Sequence, residues 1–123
     1  MLEIGCDLGA ATRCLVAAGA VVLAVDKAAD RLDRARNDVP GAAFSLCDVL
    51  RDPDGIEGEF EVVFIDINGS REYEAVATCV AWAERRWPDA LVVVKSVTAM
   101  QRFWSGAINP TVPERQRGRV PGS

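Results

Sequence analysis

Residues 1–11, MLEIGCDLGAA, place a short apolar run directly before a glycine-rich turn. One carboxylate, Glu3, lies in the run, and Gly5 and Gly9 stand on either side of Asp7 in the turn. Glycine permits the positive φ angles of a tight turn and a close approach of backbone to a bound molecule. The pattern predicts a strand, a turn and then a helix, and it raises the question whether the turn holds a nucleotide.

The rest of the chain alternates apolar runs with segments of helical period. Further strands are predicted at 20–25, 42–47, 60–67 and 90–97. Helices are predicted between them at 11–19, 28–38 and 71–86. Apolar runs without polar alternation are typical of strands that are buried on both faces, and a strand–helix alternation is typical of parallel sheets. The sequence therefore predicts an α/β fold.

Size and composition restrict the class of protein. The chain has 123 residues, half of them hydrophobic, which suits one domain with a real core. The net charge of -4 argues against a dedicated nucleic-acid binder. Four widely spaced cysteines and the absence of histidine indicate neither a zinc site nor a disulfide framework. No apolar run reaches the length of a membrane helix and no basic leader is visible, so we expect an intracellular, cytoplasmic protein without a membrane partner.

Polar residues follow each of the predicted strands. Asp26, Asp48 and Asp66 come directly after the second, third and fourth strands, and Lys95 lies at the fifth. In an open parallel sheet, ligands bind beyond the carboxyl ends of the strands, where the strand order reverses. We therefore expect these residues and the turn at 5–9 to line one crevice.

Four stretches resemble the motifs of the class I S-adenosylmethionine (SAM)-dependent methyltransferases. They are LEIGCDLG at 2–9, VVLAVD at 21–26, LCDV at 46–49 and VVFIDI at 62–67. The family's first motif is commonly E-x-G-x-G-x-G, and Asp7 stands here in place of its middle glycine. The resemblance covers residues 2 to about 97. It implies SAM as the cofactor and a Rossmann-like doubly wound sheet whose parallel strands follow the order 3-2-1-4-5.

The resemblance also implies roles for individual residues. The carboxylate of Asp26 would accept hydrogen bonds from the ribose hydroxyls, Asp48 would accept one from the adenine amino group, and the amide of Val49 would lie near the ring. Glu3 would sit beneath the turn and hold its amides or the cofactor's ammonium group. The expected cofactor-binding residues are Glu3, Gly5, Cys6, Asp7, Gly9, Asp26, Lys27, Asp48, Val49 and Asp66.

Asp7 decides between this interpretation and two alternatives. As the N-cap of the helix that starts near Ala10, it would have a structural role alone. In a Rossmann domain for NAD or a flavin, the second glycine of G-x-G-x-x-G admits the pyrophosphate. A carboxylate at that position would repel two phosphates, so we favour SAM, which has none, over NAD.

Asp66 and Lys95 are the candidate catalytic residues, because the chain has no histidine to act as a base. They resemble the middle two members of the lysine–aspartate–lysine–glutamate tetrad of RNA 2′-O-ribose methyltransferases. A structural ion pair between them is an equal alternative. The methyl acceptor, whether small molecule, protein or RNA, stays open.

Members of the family usually carry a helix before the first strand and two more strands after the fifth. After Val97 this sequence offers only TAMQRFWSGAI, at 98–108, so we expect a truncated or fragmentary domain at 1–104 with its last two strands missing or incomplete. We expect a disordered basic Pro/Gly tail at 105–123. An exposed sheet edge would then favour association with another chain. The second hypothesis is accordingly a non-catalytic, methyltransferase-like binding or interaction domain.

Overall fold

A computed structural model describes residues 1–67 and 72–95, with the backbone alone at 72 and 73. The strands are β1 (Leu2–Ile4), β2 (Leu23–Asp26), β3 (Ala43–Leu46), β4 (Val62–Ile65) and β5 (Leu91–Val94). The helices are α1 (Ala10–Ala17), α2 (Ala29–Asp38) and α3 (Glu72–Arg86), and a 3₁₀ turn spans Pro53–Gly55. Within these ranges no helix is both long and apolar enough to cross a membrane. The predicted tail at 105–123 and the segment at 98–108 lie outside the described residues.

All five strands run parallel in the order β3-β2-β1-β4-β5. The predicted α/β fold and the strand order 3-2-1-4-5 are confirmed. The chain order reverses at β1, which has β2 on one side and β4 on the other, so the carboxyl end of β1 is the topological switch point. In the described part of the sheet, β3 and β5 form the edges, and association through such an edge stays a prediction.

Helices cover both faces of the sheet. The larger apolar cluster joins Leu2 and Ile4 of β1 to Cys79 and Ala83 of α3. A smaller cluster on the opposite face joins Ala24 of β2 to side chains of α1 and α2, among them Leu15, Val16 and Leu32. Because side chains alternate along a strand, Glu3 points to the face opposite its neighbours Leu2 and Ile4. The doubly wound arrangement places its carboxylate on the α1 side.

Trp87, the first residue after α3, belongs to the larger apolar cluster. Its ring packs edge-on against Trp82, with centroids 5.1 Å apart, and against Phe60, at 5.2 Å. The indole Nε1 donates a hydrogen bond to the carbonyl oxygen of Gly58 at 2.9 Å. This satisfied and buried indole has a structural role, as expected for a core tryptophan.

Gly19 ends α1 as the sequence predicts. It has φ +92°, and its N–H donates to the carbonyl of Val16 at 2.9 Å while the N–H of Ala20 donates to the carbonyl of Leu15 at 3.0 Å. This pair of bonds is the Schellman motif, in which a left-handed residue satisfies the last carbonyls of a helix. The chain then turns directly into β2.

Candidate functional site

A cleft of about 400 Å³ opens at the carboxyl ends of the first four strands. Most of the predicted cofactor-binding residues line it: Gly5, Asp7, Asp26, Lys27, Asp48, Val49 and Asp66. Its apolar walls include Ile4, Val25 and Leu50. The charged lining adds one residue that the sequence did not indicate, Arg31, and carboxylates outnumber cations in it. A crevice is therefore present at the ends of the first four strands, but its lining does not include Lys95 of the fifth.

Residues 5–9, called loop 1 from here on, use four of their five amide groups within the protein. The N–H groups of Gly5 and Cys6 both donate to the carbonyl of Val25, at 2.9 and 3.1 Å, and that of Gly9 donates to the carbonyl of Cys6 at 2.9 Å. The N–H of Asp7 donates to Asp26 Oδ2 at 2.8 Å. A phosphate-binding turn instead directs free N–H groups at the anion. In loop 1 these four amides already have acceptors.

The two glycines of loop 1 are required by packing within the protein. Gly5 has φ +84°, and a Cβ there would lie 2.0 Å from the backbone carbonyl oxygen of Asp66. Gly9 has φ +89°, and its Cβ would lie 3.1 Å from the Cβ of Ala35 on α2. Gly9 also caps α1 through its backbone position. The absent Cβ atoms thus let loop 1 pack against the end of β4 and against α2.

Asp7 is a non-glycine residue with φ +51°, and its side chain pairs with Arg31. Arg31 Nη1 donates to Asp7 Oδ1, and both side chains are about half exposed. The adjacent carboxylate raises the pKa of the guanidinium, chiefly through this hydrogen bond. Because Gly9 is the N-cap of α1 and no side chain caps it, the alternative that Asp7 caps this helix is wrong. Arg31 also offsets the negative charge of Asp7 that would repel a pyrophosphate.

Asp26 connects loop 1 to the start of α2. Its Oδ2 accepts from the N–H of Asp7, and its Oδ1 accepts from the N–H of Ala28 at 2.9 Å. Each carboxylate oxygen can accept a further hydrogen bond, because each has two lone pairs. The half-buried carboxylate faces the cleft and can therefore accept hydrogen bonds from a pair of hydroxyl groups.

Asp48 and Val49 form the wall of the cleft beyond β3. Asp48 Oδ1 accepts from the N–H of Leu50 at 3.2 Å, which keeps the carboxylate close to the backbone of this turn. Val49 is buried, and Leu50 is 47% exposed. A carboxylate beside two apolar side chains suits a flat, apolar group that carries one hydrogen-bond donor.

The cleft lining does not include Glu3, Cys6 or Gly9 among its described residues. Glu3 is fully buried; Thr12 Oγ1 donates to its Oε1, and its Oε2 has no hydrogen-bond partner among the described residues. Burial raises the pKa of this carboxyl, and the Thr12 bond opposes the shift. Cys6 packs into the smaller cluster, where burial raises the pKa of its thiol to about 12. A thiol with so high a pKa is a packing group rather than a nucleophile.

Asp66 and Lys95 meet at the edge of the cleft. Lys95 Nζ lies 3.7 Å from Asp66 Oδ2, and the side chain of Asp66 is 14% exposed while that of Lys95 is 65% exposed. The N–H of Lys95 donates to the carbonyl of Ile65 at 2.8 Å, which fixes the register of the two strand ends. Asp66 lines the cleft and Lys95 reaches it through the ion pair. In residues 1–67 and 72–95 no group of histidine, cysteine and acidic side chains could hold a metal ion.

Comparison with known proteins gives matches among solved structures. The sequence matches no protein-family model and no curated protein. A structure solved in work on the conversion of a disulfide bond into a thioacetal group during echinomycin biosynthesis is 27% identical over 67% of this chain and 37% of that one, with a TM-score of 0.53. A TehB-like SAM-dependent methyltransferase from Corynebacterium glutamicum is 23% identical over 76% of this chain and 52% of that one, with a TM-score of 0.60. Magnesium protoporphyrin IX methyltransferase from Synechocystis, with bound SAH, is 18% identical over 90% of this chain and 54% of that one, with a TM-score of 0.57.

The chain spans between 37% and 54% of the length of these three proteins. The predicted likeness to the SAM-dependent methyltransferases is confirmed for the architecture. The chain therefore has the Rossmann-like fold of the SAM-dependent methyltransferases.

Proposed function

We propose that the chain binds SAM in the cleft and acts as a SAM-dependent methyltransferase on an acceptor of unknown identity. The observation that carries the proposal is which polar groups of the cleft are already hydrogen-bonded within the protein and which can still bind a ligand. Four of the five amides of loop 1 are engaged within the protein, while carboxylates at the ends of β2 and β3 retain acceptor capacity. Such a cleft suits a nucleoside without phosphates better than a dinucleotide.

The residues present fit the parts of SAM. Asp26 would accept hydrogen bonds from the ribose hydroxyls, and Asp48 would accept one from the adenine amino group. The side chains of Val49 and Leu50 would pack against the adenine ring. The excess of carboxylates in the lining would favour the positive charges of the sulfonium and ammonium groups. Glu3, which is also a predicted cofactor-binding residue, does not line the cleft. It would affect SAM binding only indirectly, through the hydrogen bond that it accepts from Thr12 of α1.

SAM supplies an electrophilic methyl group on a sulfonium for in-line displacement. Much of the rate enhancement can come from holding the acceptor in line, and a base is needed only where the acceptor loses a proton. Asp66 is the described carboxylate that both faces the cleft and contacts a lysine. We propose that Asp66 accepts the proton and that Lys95, whose Nζ lies 3.7 Å from Asp66 Oδ2, holds this carboxylate in position.

Binding without methyl transfer is the second candidate function. It needs the carboxylates of the cleft but no proton acceptor at Asp66. Both candidates require the same SAM site. The RNA 2′-O-ribose activity rests on the Asp66–Lys95 contact alone and is opposed by the net charge of -4.

The proposal is tested by replacing the carboxylate expected at the ribose. Asp26→Ala should weaken SAM binding by about 1–3 kcal/mol, the usual cost of removing a hydrogen-bond partner of buried groups. Asp33→Ala is the matched control, because Asp33 is an exposed α2 residue that pairs with Arg36 and does not line the cleft. Calorimetric titration measures both affinities, with circular dichroism to establish that each variant is folded. Equal loss in the two variants, or none in Asp26→Ala, would place the ribose elsewhere.

A further inference from the structure

We propose that the Arg31–Asp7 ion pair sets how strongly the cleft distinguishes a cationic ligand from a neutral one, and so governs the preference for SAM over its demethylated product. This inference rests on the proposed function. It assigns Arg31 a specificity-determining role in the discrimination between cofactor and product.

The geometry makes this pair part of the cleft. Arg31 comes from the first turns of α2 and Asp7 from loop 1, and both line the cleft. Asp26 holds the two elements together, because its two carboxylate oxygens accept from the N–H groups of Asp7 and Ala28. Both charges therefore have fixed backbone positions beside the carboxylate expected to bind the ribose.

The charge balance of the lining explains why one ion pair can matter. The other charged groups of the cleft are Asp26, Lys27, Asp48 and Asp66, and Lys95 adds a cation at the edge through its contact with Asp66. SAM and its product differ by one methyl group and one positive charge. The ratio of their affinities therefore reports the electrostatic potential at the sulfonium, and each charge added to or removed from the lining shifts it.

The same helix offers a matched control. Arg36 Nη1 lies 3.2 Å from Asp33 Oδ1, and both side chains are at least half exposed, as in the Arg31–Asp7 pair. Neither of these two residues lines the cleft. If the Arg31 variant changes the ligand preference and the Arg36 variant does not, the effect comes from the position of Arg31 in the cleft and not from the net charge of the protein.

The experiment is a calorimetric titration of SAM and of S-adenosylhomocysteine with five proteins: the unmodified chain, Arg31→Gln, Asp7→Asn, the double variant and Arg36→Gln. Asparagine is chosen at position 7 because it tolerates the positive φ angle there. We expect the preference for SAM to rise about two- to fivefold in Arg31→Gln and to fall by a similar factor in Asp7→Asn, the size usual for exposed charges. The double variant and Arg36→Gln should keep the preference of the unmodified chain. The shifts should shrink as salt is added.

Three negative outcomes are distinguishable. If the unmodified chain binds SAM but its preference over the product is the same in Arg31→Gln and Asp7→Asn, the role of the ion pair is wrong and the SAM site stands. If Arg36→Gln moves the preference as far as Arg31→Gln, net charge rather than the cleft geometry is responsible, and the role of the ion pair is again wrong. If the unmodified chain binds neither ligand, the proposed function fails, and the role of the ion pair fails with it.

Discussion

Gly5→Ala is expected to destabilise the fold more than the same change at Gly9 or Gly19. A Cβ at Gly5 would lie 2.0 Å from the carbonyl oxygen of Asp66 and 2.9 Å from its carbonyl carbon. That carbonyl is backbone at the end of β4, and the N–H of Asp66 is bonded to the carbonyl of Ile4 at 2.9 Å, so it moves only by disturbing the β1–β4 pairing. The left-handed φ costs about 1–2 kcal/mol for alanine, and overpacking against a fixed neighbour adds about 1–3 kcal/mol.

The sum, about 2–5 kcal/mol, is a large share of the roughly 5–15 kcal/mol by which a domain is stable. Gly19→Ala is the matched control, because Gly19 has φ +92° but a Cβ there would meet no atom within 4 Å beyond its chain neighbours. It should cost only the backbone contribution of about 1–2 kcal/mol. Gly9→Ala should fall between the two, because its Cβ would lie 3.1 Å from the Ala35 Cβ.

Urea unfolding followed by circular dichroism gives the free energy of unfolding of each variant, provided that the m-values agree. A loss in Gly5→Ala no greater than that in Gly19→Ala would show that loop 1 does not pack against Asp66 in this way.

Two further changes test the buried polar contacts. Burial raises the pKa of Glu3 in the folded state above its ordinary value of 4.5. Between these two pKa values the folded state binds more protons than the unfolded state. The free energy of unfolding therefore falls as the pH rises from 4.5 toward the folded-state pKa. Urea titrations across pH should show this fall reduced in Glu3→Gln, and an identical pH profile in both proteins would contradict the buried position of the carboxyl. Trp87→Phe should lower the free energy of unfolding by about 1–3 kcal/mol, because the smaller ring leaves a gap in the larger apolar cluster and the Gly58 carbonyl loses its indole donor. A change near zero by the same assay would contradict the packing of Trp87 in this cluster.

The strands and the cleft residues at their ends could be predicted because their signals are local. Each strand is a short apolar run bounded by turn residues, and the carboxyl ends of parallel strands meet at one edge of the sheet. The sequence positions of Asp26, Asp48 and Asp66 are therefore enough to predict that these residues lie close together, as they do in the cleft. The same logic applies to Gly19, whose place just after a helical run is typical of a left-handed helix end.

The rest depends on tertiary contacts that leave no periodic signal. Arg31 is one of several charged residues on α2, and only the packing of this helix beside loop 1 brings its guanidinium to Asp7. The motif resemblance implies that Glu3 contacts loop 1 or the cofactor. In the structure, the pleat of β1 and the packing of α1 instead bring its carboxyl group to Thr12. The glycines of loop 1 suggest room for a ligand. At Gly5, however, the atom that leaves no space for a Cβ is the backbone carbonyl oxygen of Asp66.

The most direct test of the proposed SAM site is a calorimetric titration of the unmodified chain with SAM and, separately, with NAD. Four of the five loop 1 amides donate to Val25, Cys6 and Asp26 and are not directed at a phosphate. We therefore expect SAM to bind and NAD to bind more weakly, with the SAM signal reduced in Asp26→Ala. Tighter binding of NAD than of SAM would contradict the assignment of the cleft.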